Sequence, residues 1–491
     1  MRKLLYYTII ICLSFLPVFG QAQTDSVSFQ QSFQQFKEQA FENFNEFQTN
    51  AYNEFEQFLS EAWTIYENFA ELSGAYSVKK PEAIPTLPVS SGVIDVDAPS
   101  IENTMPLFEN LPEQKNSAID FGSSQNDVVF INFYGRPMEF RVPMELRVKA
   151  EGTKERHIAK YHETVRESNT AQILNNQLDD AVNQMGLNEW GYFTLLRALS
   201  EQIFTNANDR VLFSFFMLHN HGFKARVGRG QKSEQLVLLL ALDNSKEVYS
   251  KTFFRIKGTK FYVVYGNGQQ NESVYSYNEN ADDSRLKEIG LDFKKALNIA
   301  ACDKSRTLHL NKVNQDIVLP YSTSHLRYYD DIPTTVFPIY FNTPVSKEAE
   351  QVLAQTFNTL GKQYNKVQLV DIILNFVQTA FVYKIDEQQF GREKYFFPEE
   401  VIGYPFSDCE DRSALFAWLV RRFIGYEVIG VLYSDHLATG VCFNNEAQIT
   451  GKSVDLHGKR YVVCDPTYRN APIGTIAPKY AHSNQEIVEI N

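Results

Sequence analysis

The stretch YPFSDCEDRSALFAWLVRRFIG, residues 404–425, decides how the chain is read, because it looks like a loop feeding a helix that begins beside a cysteine. Ser407 and Glu410 stand three residues apart. That is the spacing of a capping box, in which the serine accepts from the amide three residues on and the glutamate reaches back. Cys409 then falls in the first turn, where the partial positive charge of a helix end favours the thiolate, the nucleophilic form. Asp408, Glu410 and Asp411 oppose this, so the thiolate needs a cationic partner as well.

Two strand-like runs downstream offer that partner and a carboxylate to orient it. YSDHLATGVCF carries His436, and RYVVCDPTY carries Asp465 just before Pro466, which ends a ladder. A thiol at a helix start, facing an imidazole and a carboxylate on neighbouring strands, supplies each part of thiol acyl transfer. His436 takes the proton and stabilises the thiolate as imidazolium, and Asp465 holds the ring in the useful tautomer. His457, in LHGKRY, is the rival base but reads as the turn of a hairpin. Cys442 and Cys464 lie on the same two runs, as packing residues or as a disulfide pair; packing is the preferred reading.

Taken together, DCEDRSALFAWLVRRFIGYEV, DHLATGV and YVVCDPTY resemble the transglutaminase-like (papain-like) cysteine enzyme superfamily over residues 346–475, in the order Cys, His, Asp. The resemblance implies an α+β domain with the cysteine-bearing helix packed on an antiparallel sheet, and an acyl-enzyme on Cys409 with no cofactor. It puts the oxyanion hole at the Cys409 amide plus a donor from the preceding loop, for which Tyr404 is the candidate by position. Many members have glycine where this chain has Ser407, and Ala-Trp after the histidine where it has Leu437-Ala438.

An internal repeat adds a second expectation. ANDRVLFSFFMLHNHGFKARVG, near residue 207, parallels CEDRSALFAWLVRRFIGYEVIG, and GTKFYVVYGNG parallels GKRYVVCDPTY. In this register Ala207 replaces the nucleophile, Gln235 stands near the base position and Gly266 replaces the orienting aspartate. None of the three can do the chemistry, so residues 119–270 are expected to form a degenerate transglutaminase-like domain. His219 and His221, at the end of its helix, read as surface residues, since no Cys, Asp or Glu constellation accompanies them as metal ligands would require. No metal site is expected.

The N-terminal part has a different character. MRKLLYYTIIICLSFLPVFGQAQ has two cations, an apolar run and small residues at cleavage spacing, and residues 1–22 read as a signal peptide. An exported chain, periplasmic or extracellular, follows. Residues 26–70 repeat every eleven residues: Phe33, Phe44, Phe55 and Tyr66 share one position, and Phe36, Phe47, Phe58 and Phe69 another. Eleven residues close three turns at about 3.67 per turn, so a straight helix on the order of 68 Å long with an aromatic stripe is expected. Such a stripe calls for a covering surface, from this chain, a second copy or another partner. Residues 71–118 contain Pro81, Pro85, Pro88, Pro99, Pro106 and Pro112 and read as a linker; residues 271–345 read as a β-rich connector and 346–491 as the catalytic domain.

Composition sets the outer limits. The 491 residues are 44% hydrophobic with a net charge of −12, enough to bury several cores and opposed to a phosphate-binding surface, so nucleic acid is not an expected partner. The expected function is an exported thiol enzyme acting on amide or peptide bonds of a protein or peptide substrate, peptidase-like or amidase-like. Cross-linking by transfer to an amine, and a non-catalytic scaffold with a relic triad, are the alternatives.

Overall fold

The structure is a computed structural model that describes residues 63–66, 69–70, 128–167, 170–243, 247–249, 251–266, 273–277, 285–443 and 449–490. The expected signal peptide, the linker and most of the aromatic repeat lie outside the described residues. Residues 63–66 and 69–70 of the repeat are described. Trp63–Tyr66 (β1) and Phe69–Ala70 (β2) are strands where the eleven-residue period predicts helix, Trp63 lying opposite Tyr277 and Phe69 opposite Phe253. Aromatic and β-branched residues suit a strand as readily as a helix stripe, and here open sheet edges supply the backbone partners.

The order of hairpin, helices and five sheet strands then occurs twice, with more helices in the second pass. A hairpin of β3 (Val128–Phe133) and β4 (Arg136–Arg141) turns at Tyr134 and Gly135, whose φ of 48° and 98° suit the tight turn of a twisted hairpin. Four helices follow: α1 (Glu155–Glu167), α2 (Ala171–Met185), α3 (Glu189–Ile203) and α4 (Ala207–His221). After them come β5 (Ala225–Gly230), β6 (Leu236–Ala241), β7 (Thr252–Ile256), β8 (Thr259–Gly266) and β9 (Val274–Tyr277).

The second pass opens on the hairpin of β10 (Lys304–Leu310) and β11 (Gln315–Tyr321), followed by α5 (Thr323–Asp331), α6 (Phe337–Asn342), α7 (Lys347–Leu360) and α8 (Lys366–Ala380). The stretch expected to be a β-rich connector is therefore part hairpin and part helix, and its first strand, β9, belongs to the preceding sheet. A short parallel pair, β12 (Val382–Tyr383) and β13 (Phe406–Ser407), encloses α9 (Asp386–Phe390) and α10 (Pro398–Gly403). The chain then enters α11 (Cys409–Leu419), a π turn over Val420–Ile424, and β14 (Glu427–Tyr433), β15 (His436–Cys442), β16 (Ser453–Leu456), β17 (Lys459–Cys464) and β18 (Glu486–Val488).

The two sheets have the same order. The first runs β9-β5-β6-β8-β7 and the second β18-β14-β15-β17-β16, every pairing antiparallel. The first also carries β1 outside β9 and β2 outside β7. Only Glu67 and Asn68 separate those two strands, a reach of roughly 11 Å, so the opposite edges of this sheet curl round to meet. Helix α4 packs on β6 as α11 packs on β15. Each helix run ends at a left-handed glycine, Gly222 at φ 101° and Gly425 at φ 80°. The class is α+β.

All eleven residues of α11 are buried, which marks it as a central helix covered on every side rather than a surface helix with one apolar stripe. Leu415, Phe416 and Leu419 anchor it, each contributing about 1.5–3 kcal/mol by burial. Its one cation, Arg412, is held by the Ser407 hydroxyl (3.2 Å) and the carbonyls of Gln378 (3.4 Å) and Phe381 (2.8 Å). Burial pulls this guanidinium down to about 10. It thus ties the start of α11 to the end of α8. Among the described residues no helix is long and apolar enough to cross a membrane.

Candidate active site

Helix α11 starts one residue later than the expected capping box. Asp408 is the cap, and the Asp411 carboxylate reaches back to the Asp408 amide (3.1 Å) and takes the Phe396 amide (2.9 Å). The shift follows from chemistry at the third helical position: Asp411 has two buried amides to satisfy, and Ser407 is already engaged by Arg412. Glu410 is thereby released from capping, and its carboxylate accepts from the Cys409 thiol at 2.8 Å.

Cys409 is fully buried. Burial first, then the carboxylates of Glu410 and Asp408, push its thiol well above the ordinary range; the Leu437 backbone amide, directed at the sulfur, works the other way. This environment favours the thiol over the thiolate, the direction in which the acidic neighbours Asp408 and Glu410 act.

His436 opens β15 and Asp465 follows β17, and the antiparallel pairing of Thr439 with Cys464 brings the two side chains together. His436 Nε2 lies 2.9 Å from Asp465 Oδ2, with both side chains wholly buried. The other carboxylate oxygen, Oδ1, accepts from the amides of Thr467 (2.9 Å) and Tyr468 (3.1 Å) in the turn after Pro466. A carboxylate only accepts, so Nε2 carries a hydrogen, and in the neutral ring Nδ1 is then a lone pair. That atom is buried and has no hydrogen-bond partner. Gln378, from α8, donates to the carbonyls of Asp465 (2.9 Å) and Ala471 (3.0 Å) and fixes the turn from behind. The Ser413 hydroxyl donates to the Leu437 carbonyl (3.0 Å) and pins α11 to the start of β15.

Sequence reading missed three participants. Glu410 reads in sequence as a capping residue and an acidic neighbour but not as the thiol's acceptor, Gln378 sits in an ordinary helical pattern, and Tyr480 lies beyond the stretch that carries the resemblance. Tyr480 stacks on the His436 ring with centroids 4.9 Å apart and planes 12° from parallel, and Tyr433 lies 5.1 Å from Tyr480. Tyr404, the positional candidate for the oxyanion hole, packs with Phe396 (4.7 Å) and Phe390 (5.4 Å) around the Lys394 ammonium, 5.3 Å from its ring. Its carbonyl accepts from Arg306. Lys394 itself is buried against Glu400 at 2.5 Å.

The cysteines Cys302, Cys409, Cys442 and Cys464 are all free thiols. His457 stands at φ 50° in the turn between β16 and β17, 73% exposed, as its sequence implied. His221 is half-buried and bonds Asp179 at 2.8 Å. Asp386, Asp408 and Glu410 bring carboxylate oxygens within 4.8 Å of one another, a grouping hidden in the sequence because Asp386 comes from α9. The chain serves part of this group itself: Asp386 takes the Lys394 amide at 2.7 Å, and Glu410 takes the Cys409 thiol.

Counting along the ladders from Gly222 and Gly425 sets Leu240 at the place of Val441, and so Gln235 at the place of His436. A bulge between Leu238 and Leu239 then brings Gly266 to the place of Asp465. There Gly266 has φ 115°, and a Cβ would meet the Leu236 carbonyl oxygen at 2.4 Å, so no side chain fits. The Asn208 side chain accepts from the Leu236 amide at 2.9 Å, the counterpart of the Leu437 amide aimed at the Cys409 sulfur.

No family model matches this chain, and no curated protein does. Among solved structures it is similar to the crystal structure of a putative protease from Parabacteroides distasonis, at 12% identity over 46% of this chain and 40% of that one, with a TM-score of 0.18. The match spans less than half of either chain, and a likeness this low carries no argument.

Proposed function

We propose that the second half of the chain is a thiol enzyme of the transglutaminase-like (papain-like) kind, exported, acting on amide or peptide bonds of a protein or peptide substrate. The observation that carries this is the buried His436–Asp465 pair with an unpartnered Nδ1, at the strand whose next amide is directed at the Cys409 sulfur. In the first step the thiol leaves Glu410 and gives its proton to His436 Nδ1, and the sulfur adds to the substrate carbonyl. The C–N bond breaks as His436 returns that proton to the departing amine. Water, or a second amine, then attacks the thioester with His436 as base, the C–S bond breaks, and His436 returns the proton to the Cys409 sulfur. Hydrolysis is preferred because water is always present.

The first half is then a duplicated domain without the chemistry, a scaffold in which Ala207, Gln235 and Gly266 stand for Cys409, His436 and Asp465. The aromatic repeat before Trp63 is a surface for this chain's own domains, a partner or a second copy. The neutral, fully buried thiol favours one second reading, a binding protein with a relic triad.

The deciding experiment incubates the full chain and Cys409→Ala with peptide pools, with and without a labelled amine. New peptide termini that require Cys409 support hydrolysis, and amine incorporation that requires Cys409 supports transfer. Product maps identical for the two proteins leave the binding reading.

A further inference from the structure

We propose that the segment Ala477–Val488 is a resident occupant of the triad's entrance, and that Tyr480 holds the place of an aromatic side chain of a polypeptide substrate. The inference rests on the reading of Cys409, His436 and Asp465 as the reactive site and names both its regulation and its ligand class.

Three observations carry it. Cys409 and His436 have no exposed surface, so no substrate reaches either in this arrangement. The layer over His436 is one chain thick: Pro478, Lys479 and His482 face solvent while Tyr480, 2% exposed, turns inward and stacks on the imidazole at 4.9 Å. Inward the segment is fastened by Ala477 and Tyr480 in the core of the second sheet, and outward by few contacts. Lys479 pairs with Asp435, the residue before His436, at 3.2 Å with side chains 42% and 27% exposed, and the Lys452 ammonium donates to the Ala481 carbonyl at 3.0 Å.

Its end, β18, pairs with β14 over only Gly430–Leu432, against seven paired positions between β14 and β15. Gly430 is what lets it close in, since a Cβ there would meet Val488 Cβ at 2.9 Å. Apart from the two core side chains Ala477 and Tyr480, with Ile487 packed against them, the segment is held by one exposed ion pair, one bond to a carbonyl and a three-residue ladder, so it is the part of this sheet that opens locally at least cost. What it leaves behind is an edge strand with free amides and a flat aromatic slot on the base. Those features fit an extended peptide that adds to the edge and lays an aromatic side chain on His436.

The test measures iodoacetamide labelling of Cys409 in the full chain by peptide mass spectrometry, with Cys464, equally buried on β17, as the internal gauge of unfolding. Tyr480→Ala is expected to speed Cys409 labelling at least tenfold with Cys464 unchanged. Lys479→Glu and Gly430→Ala, which loosen the segment from outside, are expected to give a two- to fivefold rise. A synthetic peptide of residues 476–489 should protect Cys409 in Tyr480→Ala, and the same peptide with alanine for its tyrosine should not. If Tyr480→Ala exposes Cys464 equally, that variant has opened the domain and the two outer variants decide. Unchanged Cys409 labelling in both overturns the cover, and equal protection by the two peptides overturns the aromatic slot. Faster labelling without turnover on any peptide would instead count against the enzyme reading and leave the cover standing.

Discussion

Asp465→Asn alters one atom of the site and exposes its logic. Oδ1 accepts two backbone amides, from Thr467 and Tyr468, and Oδ2 lies 2.9 Å from His436 Nε2. Asparagine has one acceptor oxygen and one donor nitrogen. The two amides hold the oxygen at the Oδ1 place, so the NH2 group is forced toward His436. Nε2 must then accept, and the ring hydrogen moves to Nδ1, the atom that has to receive the Cys409 proton. The expected loss of turnover is on the order of 10³–10⁴-fold, about 4–5.5 kcal/mol of barrier.

The stability cost is smaller, about 1–2 kcal/mol, because one charge-assisted bond becomes a neutral one and every other partner is kept. The assay pairs turnover on a Cys409-dependent peptide with imidazole nitrogen NMR and urea unfolding. The expected signature is a tautomer change with near-normal folding. Activity within tenfold of the parent chain, with the hydrogen still on Nε2, would refute the orienting role of Asp465.

Other perturbations follow from the same geometry. In the parent chain Cys409 should label more slowly with iodoacetamide than Cys302, a half-buried thiol pushed up to about 11, and Glu410→Gln, which removes a carboxylate that raises the Cys409 thiol, should move the Cys409 rate profile to lower pH. Both thiols are raised on folding, so the folded chain binds more protons than the unfolded one as pH climbs past the ordinary thiol value. The contribution is whole below that value and lost above it, and unfolding midpoints should fall from about pH 9 upward. Lys394→Met leaves Glu400 buried without its ammonium and should cost about 3–5 kcal/mol in urea unfolding. Gly266→Ala should cost about 2–4 kcal/mol from the left-handed backbone and the clash with Leu236, whereas Ala207→Cys should fold normally and add no Cys-dependent product.

Much of the second half was legible because its signals are local. Ser346 and Asn365 cap α7 and α8 through their own side chains, signals that sit within three residues of each helix start. Cys409 falls in a first helical turn and Asp465 just after a strand, where the sequence puts them, and His436, read within a strand-like run, opens its strand. What sequence could not supply were choices between near-equal partners. Ser407 and Asp408 are both good caps, and the burial of two amides near Asp411 selects the second. Glu410 is an ordinary helical residue until that selection turns it to the thiol. Tyr480 joins the site by sheet closure, not by spacing. At Trp63–Tyr66 an aromatic pattern compatible with helix or strand is resolved by an open sheet edge, which only the tertiary fold provides.

The most direct measurement is the mass of Cys409 during turnover. The full chain and Tyr480→Ala are mixed with a peptide pool, quenched in acid and digested, and the peptide bearing Cys409 is weighed. An acyl adduct on that sulfur, absent in Cys409→Ala and enriched in Asp465→Asn only to the extent that any product forms, is the predicted result. Products that appear with Cys409 never acylated, or appear equally from Cys409→Ala, would contradict the account.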